Sequence, residues 1–256
     1  MILAILLAVA FDGITLGAPV SRTIATIGNP DVVATDVGTV WTWQRDGNTT
    51  RVTTDDDGNV RMIDLAPAKT SASALPIPIA NGPQLSFNAS TAPAVRQKLV
   101  AYADFSAPAT LPESGTQAVL QAYRLDDAHE LALLFDSGSQ RLREAFYGER
   151  PTLARAGLLP ALGAASPAFT APALSKLGAG DYGTADQGVA YIRISVTPTG
   201  GVSDASIYVS SGNLTLDRIA LSSARHDSFV PATLGGKPVA STFFYRENFV
   251  NTTPHR

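Results

Sequence analysis

The 256-residue chain has no cysteine. Disulfides, thiolate metal sites, cysteine nucleophiles and a lipoprotein anchor on cysteine are therefore excluded. Histidine is scarce. His129, His226 and His255 lie far apart in sequence, none beside another ligand-forming residue, so a histidine-rich metal site is not expected. Charged residues make up 16%, the net charge is −3, and no basic cluster occurs anywhere. The chain thus lacks the electrostatic footprint of a nucleic-acid binder, and no such partner is expected. No apolar run reaches the ~20 residues that a bilayer-spanning helix needs. Apolar residues are plentiful at 45%, enough to build real cores. A chain this long has room for two or three small domains.

The opening "MILAILLAVAFDG" reads as the h-region of a secretory signal over residues 1–10, and Ala8-Val9-Ala10 fits the small-x-small cleavage rule. The basic n-region is missing, so the true start can lie upstream of Met1. A longer upstream segment would turn the stretch into an anchor. The other reading is a buried N-terminal strand.

Two stretches divide the rest. "APAKTSASALPIPIANGP" (66–83) and "LLPALGAASPAFTAPALSKLGAG" (158–180) are rich in Ala, Ser and Pro and read as linkers. The expected organisation is a first unit at 11–66, a linker at 67–83, a second unit at 84–157, a linker at 158–184 and a C-terminal domain at 185–252. In the first unit a short helix from Pro19 to Ile27 should stop at Gly28-Asn29-Pro30. Three antiparallel strands should follow near 39–44, 49–54 and 59–64, with Asp46-Gly47 and Asp57-Gly58 at the hairpin tips. The run Asp55-Asp56-Asp57-Gly58 is no calcium loop of the EF-hand type: its carboxylates are adjacent rather than spaced, and no distal Glu follows. It reads as a hairpin tip.

The second unit lines up with the first. Residues 85–104 match 14–31, and 119–149 match the meander from Trp41 to Leu65, with Phe135-Asp136-Ser137-Gly138 in place of Asp55–Gly58. This order suggests a duplicated helix plus three-stranded meander. One copy is small for a core of its own, so the two should pack together. The motifs "LGAPVSRTIATIGNPD", "WTWQ" and "VTTDDDGNVRMI" resemble the small envelope modules of the BamE/SmpA type. The second copy departs from that pattern in lacking the Gly-x-Pro stop.

The C-terminal segment has a sharper pattern. In "GVAYIRISVTPTGGVSDASIYVSS", Ile192, Ile194 and Val196 alternate with Tyr191, Arg193 and Ser195, and Ala205, Ile207 and Val209 form the matching face of a return strand. Leu216, Ile219, Ala220 and Ala224 then form one helical stripe, capped by Asn213 or Thr215. A Pro stop, a Gly235-Gly236 turn and an apolar strand from Val239 to Phe249 complete a ββαβ order. Over residues 187–250 this resembles the C-terminal domain of TonB-family proteins. The motifs that carry the resemblance are Ser210-Ser211-Gly212, Leu216-Asp217-Arg218-Ile219-Ala220, Phe229-Val230-Pro231-Ala232 and Gly236-Lys237-Pro238-Val239.

The resemblance implies binding, with no chemistry and no cofactor. TonB-like domains engage outer-membrane receptors by adding a partner strand to an exposed sheet edge, whose unpaired N–H and C=O groups template another chain. The candidate edge is the last strand, with Ser241, Thr242, Phe243, Phe244, Tyr245 and Arg246 as partner-binding residues. Internal pairing or a homodimer is the alternative use of that edge. A serine nucleophile at Ser210-Ser211-Gly212 is disfavoured: the stretch is not G-x-S-x-G, and His226 lies about four helical turns away. Asp217 suits the helix N-terminal dipole instead. Arg124, Asp126, Asp127 and Glu130 read as a solvated face.

Together these readings predict an α+β protein of the periplasm or cell envelope, a non-catalytic module in TonB-dependent transport. An energy transducer would also need a membrane anchor and a long Pro/Lys-rich spacer; the second linker reaches only ~75 Å fully extended. The rival expectation is an assembly scaffold of the outer membrane, its TonB-like domain used for dimerisation.

Overall fold

The computed structural model describes residues 11–67, 72–79, 82–112, 114–162, 167–177 and 186–250. The expected signal segment at 1–10 lies outside the described residues. Among the latter the chain is α+β, with mostly antiparallel strands and few helices.

The first stretch forms α1 (Val20–Ile27), β1 (Asp31–Thr35), β2 (Gly38–Arg45), β3 (Asn48–Thr54) and β4 (Val60–Ala66). The helix and the meander lie where the sequence placed them. Helix α1 ends as the Gly28 amide donates to the Ile24 carbonyl at 2.9 Å and Pro30 follows. The β2–β3 turn has φ 51° at Asp46 and 78° at Gly47, the pair of positive values a tight two-residue hairpin needs.

The next stretch repeats this plan. After the short pair β5 (Ala74–Leu75) and β6 (Leu85–Ser86) come α2 (Ala92–Lys98), a 3-10 turn at Val100–Tyr102, β7 (Ala103–Thr110), β8 (Gln117–Arg124), β9 (His129–Asp136), β10 (Leu142–Glu149) and α3 (Arg150–Arg155). The strands follow the order β1-β2-β3-β4-β10-β9-β8-β7. That order reads the same from either end once each strand is matched to its counterpart in the other copy. Local contacts repeat as well. Pro19 bridges Asn59 before α1, and Thr91 bridges Arg141 before α2. The amides of Gly17 and Asn88, both at positive φ, donate to the carbonyls of Val60 and Leu142. The copies meet where β4 pairs with β10, from Met62↔Gly148 to Leu65↔Ala145.

The last stretch contains β11 (Phe169–Thr170), β12 (Ala173–Lys176), β13 (Gly188–Val196), β14 (Val202–Val209), α4 (Leu214–His226), β15 (Ser228–Val230), β16 (Ala232–Leu234), β17 (Lys237–Val239) and β18 (Ser241–Phe249). β13, β14, α4 and β18 follow one another in the chain, with three short strands, β15–β17, between α4 and β18. Within 158–184, expected as a linker, the described residues include two short paired strands: β11 pairs with β16, and β12 with β15. Prolines at 167, 172 and 231 interrupt these runs without removing the amides between them, and those amides pair. Within 67–83, likewise, β5 pairs with β6.

The chain divides into two compact units. One unit comprises Met1–Val20, Thr42–Thr54 and Asn59–Ala165; the other comprises Ser21–Trp41, Asp55–Gly58 and Ser166–Arg256. Residues 11–66 thus contribute to both units. The first unit has a core of Met62, Leu120, Ala132, Leu134, Phe146 and Leu153, and Trp43, 5% exposed, is also buried in this unit. The second is built on Ala190, Ile192, Ile194, Val196, Leu216, Ala220, Ala224 and Phe249. Burial of such apolar surface, at about 25 cal/mol per Å², is the main force holding each unit.

Candidate functional site

In the second unit the sheet order is β14-β13-β18. β18 pairs with β13 in unbroken antiparallel register from Ser241↔Val196 to Phe249↔Gly188. It lies at the sheet edge. Side chains alternate as the pleat requires. Phe243, Tyr245 and Phe249 join the cluster that packs under α4. Thr242, Phe244 and Arg246 take the opposite face, where the Ser195 and Thr242 hydroxyls lie 3.0 Å apart. The six residues predicted for partner binding thus share one edge strand. Phe243 and Phe244 are 7% and 2% exposed, so their rings are committed to the fold. What the strand offers outward is backbone.

The face opposite α4 is covered by the N-terminal residues that cluster with this unit. Trp41, fully buried, lies with its ring centroid 5.4 Å from Tyr191, 5.2 Å from Phe244 and 6.2 Å from Tyr208. The Tyr191 hydroxyl donates to the Pro30 carbonyl at 2.8 Å. Arg193 donates to the Asp56 carbonyl at 2.7 Å and to the Asp57 carboxylate at 3.2 Å. Arg246 pairs with Asp31. At Gly58, with φ +82°, any Cβ would collide with the Tyr208 hydroxyl, which itself points at the Gly58 carbonyl. The acidic run read as a hairpin tip is one, and it also seats on the sheet. Sequence reasoning missed this second role because its partners stand more than 130 residues away. The available signal was the coincidence of "WTW" with an unexplained row of Tyr191, Arg193 and Tyr208.

Ser210-Ser211-Gly212 forms the turn into α4. Asn213 caps the helix, its side-chain oxygen accepting from the amides of Thr215 and Leu216. Asp217 gathers the preceding serines. The Ser210 hydroxyl donates to it at 2.5 Å, the Ser211 hydroxyl at 2.7 Å and the Ser211 amide at 2.8 Å. Burial pushes the Asp217 carboxyl up, but these hydrogen bonds outweigh it and hold the group below the ordinary carboxylate range. Both serine hydroxyls are thus donors to the Asp217 carboxylate. His226 lies at the far end of the helix, its Nδ1 2.7 Å from the Ser222 carbonyl. The other motif residues serve the frame. Leu216 is fully buried, Phe229 stacks edge-on against Phe243 at 5.3 Å, Pro231 separates β15 from β16, Gly236 turns β16 into β17, and Pro238 pairs with Thr233.

In the first unit Glu130 departs from the expected solvated face. It is fully buried on β9, 3.1 Å from Arg150 on α3, while Asp104 pairs with Arg124 at 2.9 Å. Strands on both sides of β9, and α3 beyond them, remove Glu130 from water. Burial, reinforced by the Asp104 charge and only partly offset by Arg150 and Arg124, pushes its carboxyl up to about 7. Among the described residues no group of three or more acidic or histidine side chains could hold a metal ion, and no helix is long and apolar enough to cross a membrane.

Residues 184–250 match the family model described as Gram-negative bacterial TonB protein C-terminal. The domain framed by β13, β14, α4 and β18 is thus of the TonB C-terminal type, in agreement with the motif order read from the sequence. No curated protein matches the chain. Among solved structures, it is similar to an extracellular protein containing a SCP domain from Bacillus anthracis str. Ames. The identity is 15% and the TM-score 0.36, over 55% of this chain and 46% of that one. The chain spans less than half of that protein, and the likeness is too slight to bear on function.

Proposed function

We propose that the chain is a non-catalytic, envelope-resident binding protein whose TonB-type domain takes a strand from a partner, of the kind an outer-membrane TonB-dependent receptor presents, on the outer edge of β18. The observation that carries this reading is a nine-residue edge strand, Ser241–Phe249, in unbroken register with β13 inside a TonB-type frame. Its phenylalanine side chains, Phe243, Phe244 and Phe249, are committed to the fold, so recognition falls chiefly to main-chain hydrogen bonds, the currency of β-augmentation. The periplasmic face of the outer membrane is where such a partner would be met. The duplicated helix–meander units, which resemble BamE/SmpA modules in sequence, favour a scaffold role for the N-terminal part within the same assembly.

The test is a titration of the full chain with peptides from the periplasmic N-termini of TonB-dependent receptors. Each is compared with the same peptide N-methylated at alternate residues, which removes the donors on one edge. Saturable binding lost on methylation supports strand addition. No binding, or equal binding of both forms, overturns it.

A further inference from the structure

The second unit carries an occupant of its own at the edge just described. β1 packs against β18 yet has no place in the β14-β13-β18 ladder. Its entry is fixed on the face opposite α4, where Pro30 accepts from Tyr191 and Asp31 pairs with Arg246. Tyr191 and Arg246 are themselves directly opposite in the β13–β18 register. Three residues on, Ala34 packs against the cluster on the α4 side of the same sheet. β13 is flanked on both sides by strands, so a short extended segment that meets both faces near Arg246 must go round β18. The burial of β1 agrees, with Asp31 and Val33 outward and Val32 and Ala34 turned in. Val33 is 62% exposed.

The geometry points to β1 as a strap that masks the outer edge of β18, so that a partner strand can add only after β1 is displaced. The inference deepens the strand-addition reading and rests on it for its biological meaning. An added strand must lie ≈ 4.8 Å from β18, in space that β1 now crosses. The strap is built to let go. Its main-chain pairing is with β2 and not with the strand it covers, its ion pair has an Asp31 side chain 77% exposed, and of its residues only Ala34 packs on the cluster under α4. An exposed ion pair contributes little, so a competing ladder of main-chain hydrogen bonds can displace the segment. Self-masking also serves the free protein, because an uncovered edge strand of this length invites pairing between copies.

Two variants release the strap by different means. Asp31→Arg sets like charges together, and Ala34→Asp forces a carboxylate against the apolar cluster. An unmasked edge should self-associate, so sedimentation equilibrium of the full chain reads the mask without any receptor. Asp31→Arg should strengthen self-association by roughly three- to fivefold, and Ala34→Asp by about tenfold or more. The exchange Asp31→Arg/Arg246→Asp should return it to the starting value. Unchanged self-association in both single variants, with near-ultraviolet circular dichroism confirming that they are folded, overturns the mask. The same proteins are titrated with the receptor peptides. Tighter peptide binding by the released variants supports mask and function together. Stronger self-association with no peptide binding by any form supports the mask and removes the proposed receptor. Equal peptide binding by all forms, with unchanged self-association, leaves strand addition standing and removes the mask.

Discussion

The indole of Trp41 lies 5.4 Å from the ring of Tyr191, although 150 positions separate them in the chain. Both are fully buried, and Phe244 and Tyr208 complete the cluster. This contact draws residues from the N-terminal half into one unit with the TonB-type domain. Trp41→Ala should destabilise that unit by about 3–5 kcal/mol, through lost burial and the cavity left behind. Trp41→Phe should cost clearly less. Chemical denaturation followed by far-ultraviolet circular dichroism checks both. A Trp41→Ala variant as stable as the parent would show that the cluster contributes nothing.

Gly58→Ala should be costly twice over, through its positive φ and through collision with Tyr208. A loss of about 2 kcal/mol or more is expected. Trimming the obstacle should recover part of that loss, so the double variant Gly58→Ala/Tyr208→Ala should be less destabilised than the sum of the two changes. A double-mutant cycle on unfolding free energies measures the coupling.

The turn into α4 should respond to acid. Asp217 is held below the ordinary carboxylate range in the folded chain, so its contribution is present at neutral pH and is lost as pH falls through its folded value. Asp217→Asn should remove about 1–2 kcal/mol at neutral pH, with a difference from the parent that narrows as the solution is acidified. Thermal unfolding in a pH series reads this directly, and a constant difference would argue against an ionised Asp217.

Glu130 has the opposite sign. Its folded pKa of about 7 stands above the ordinary 4.5, so the folded chain holds a proton that the unfolded chain releases. Stability of the first unit should therefore be full below about pH 4.5 and decline as pH climbs to about 7, by about 1–3 kcal/mol in all. Glu130→Gln should flatten that slope. If the variant and the parent share one pH profile, Glu130 is not the group responsible.

The meanders and the C-terminal frame were legible because each announces itself within a few residues. Asp46-Gly47 demands a hairpin, Gly28-Asn29-Pro30 stops a helix, and Ile192, Ile194 and Val196 alternate around polar neighbours. β1 and β7 were not legible. "DVVAT" is short and follows a proline, while "ADFSAPAT" is an edge strand that carries Pro108 and is largely exposed. The pairing of β11 and β12 was hidden by Ala/Pro-rich composition, which reports low burial but is silent on hydrogen bonds. The proposed edge was legible as a strand; the segment that crosses it was not, because Asp31 and Arg246 meet only in three dimensions. Glu130 was misjudged for a similar reason. Its neighbours Asp126 and Asp127 belong to a turn, and nothing local tells that the next residues enter the middle of a sheet.

The two tryptophans of the chain, Trp41 and Trp43, are two residues apart in β2, yet the first clusters with the TonB-type unit and the second with the other. Intrinsic fluorescence therefore comes already partitioned. Under excitation selective for tryptophan, a Trp43→Phe protein emits from the ring beside Tyr191, and a Trp41→Phe protein from the ring in the other unit. Paired unfolding curves from these two proteins would read the cooperativity of each unit separately, with no dye attached and no need to cut the chain.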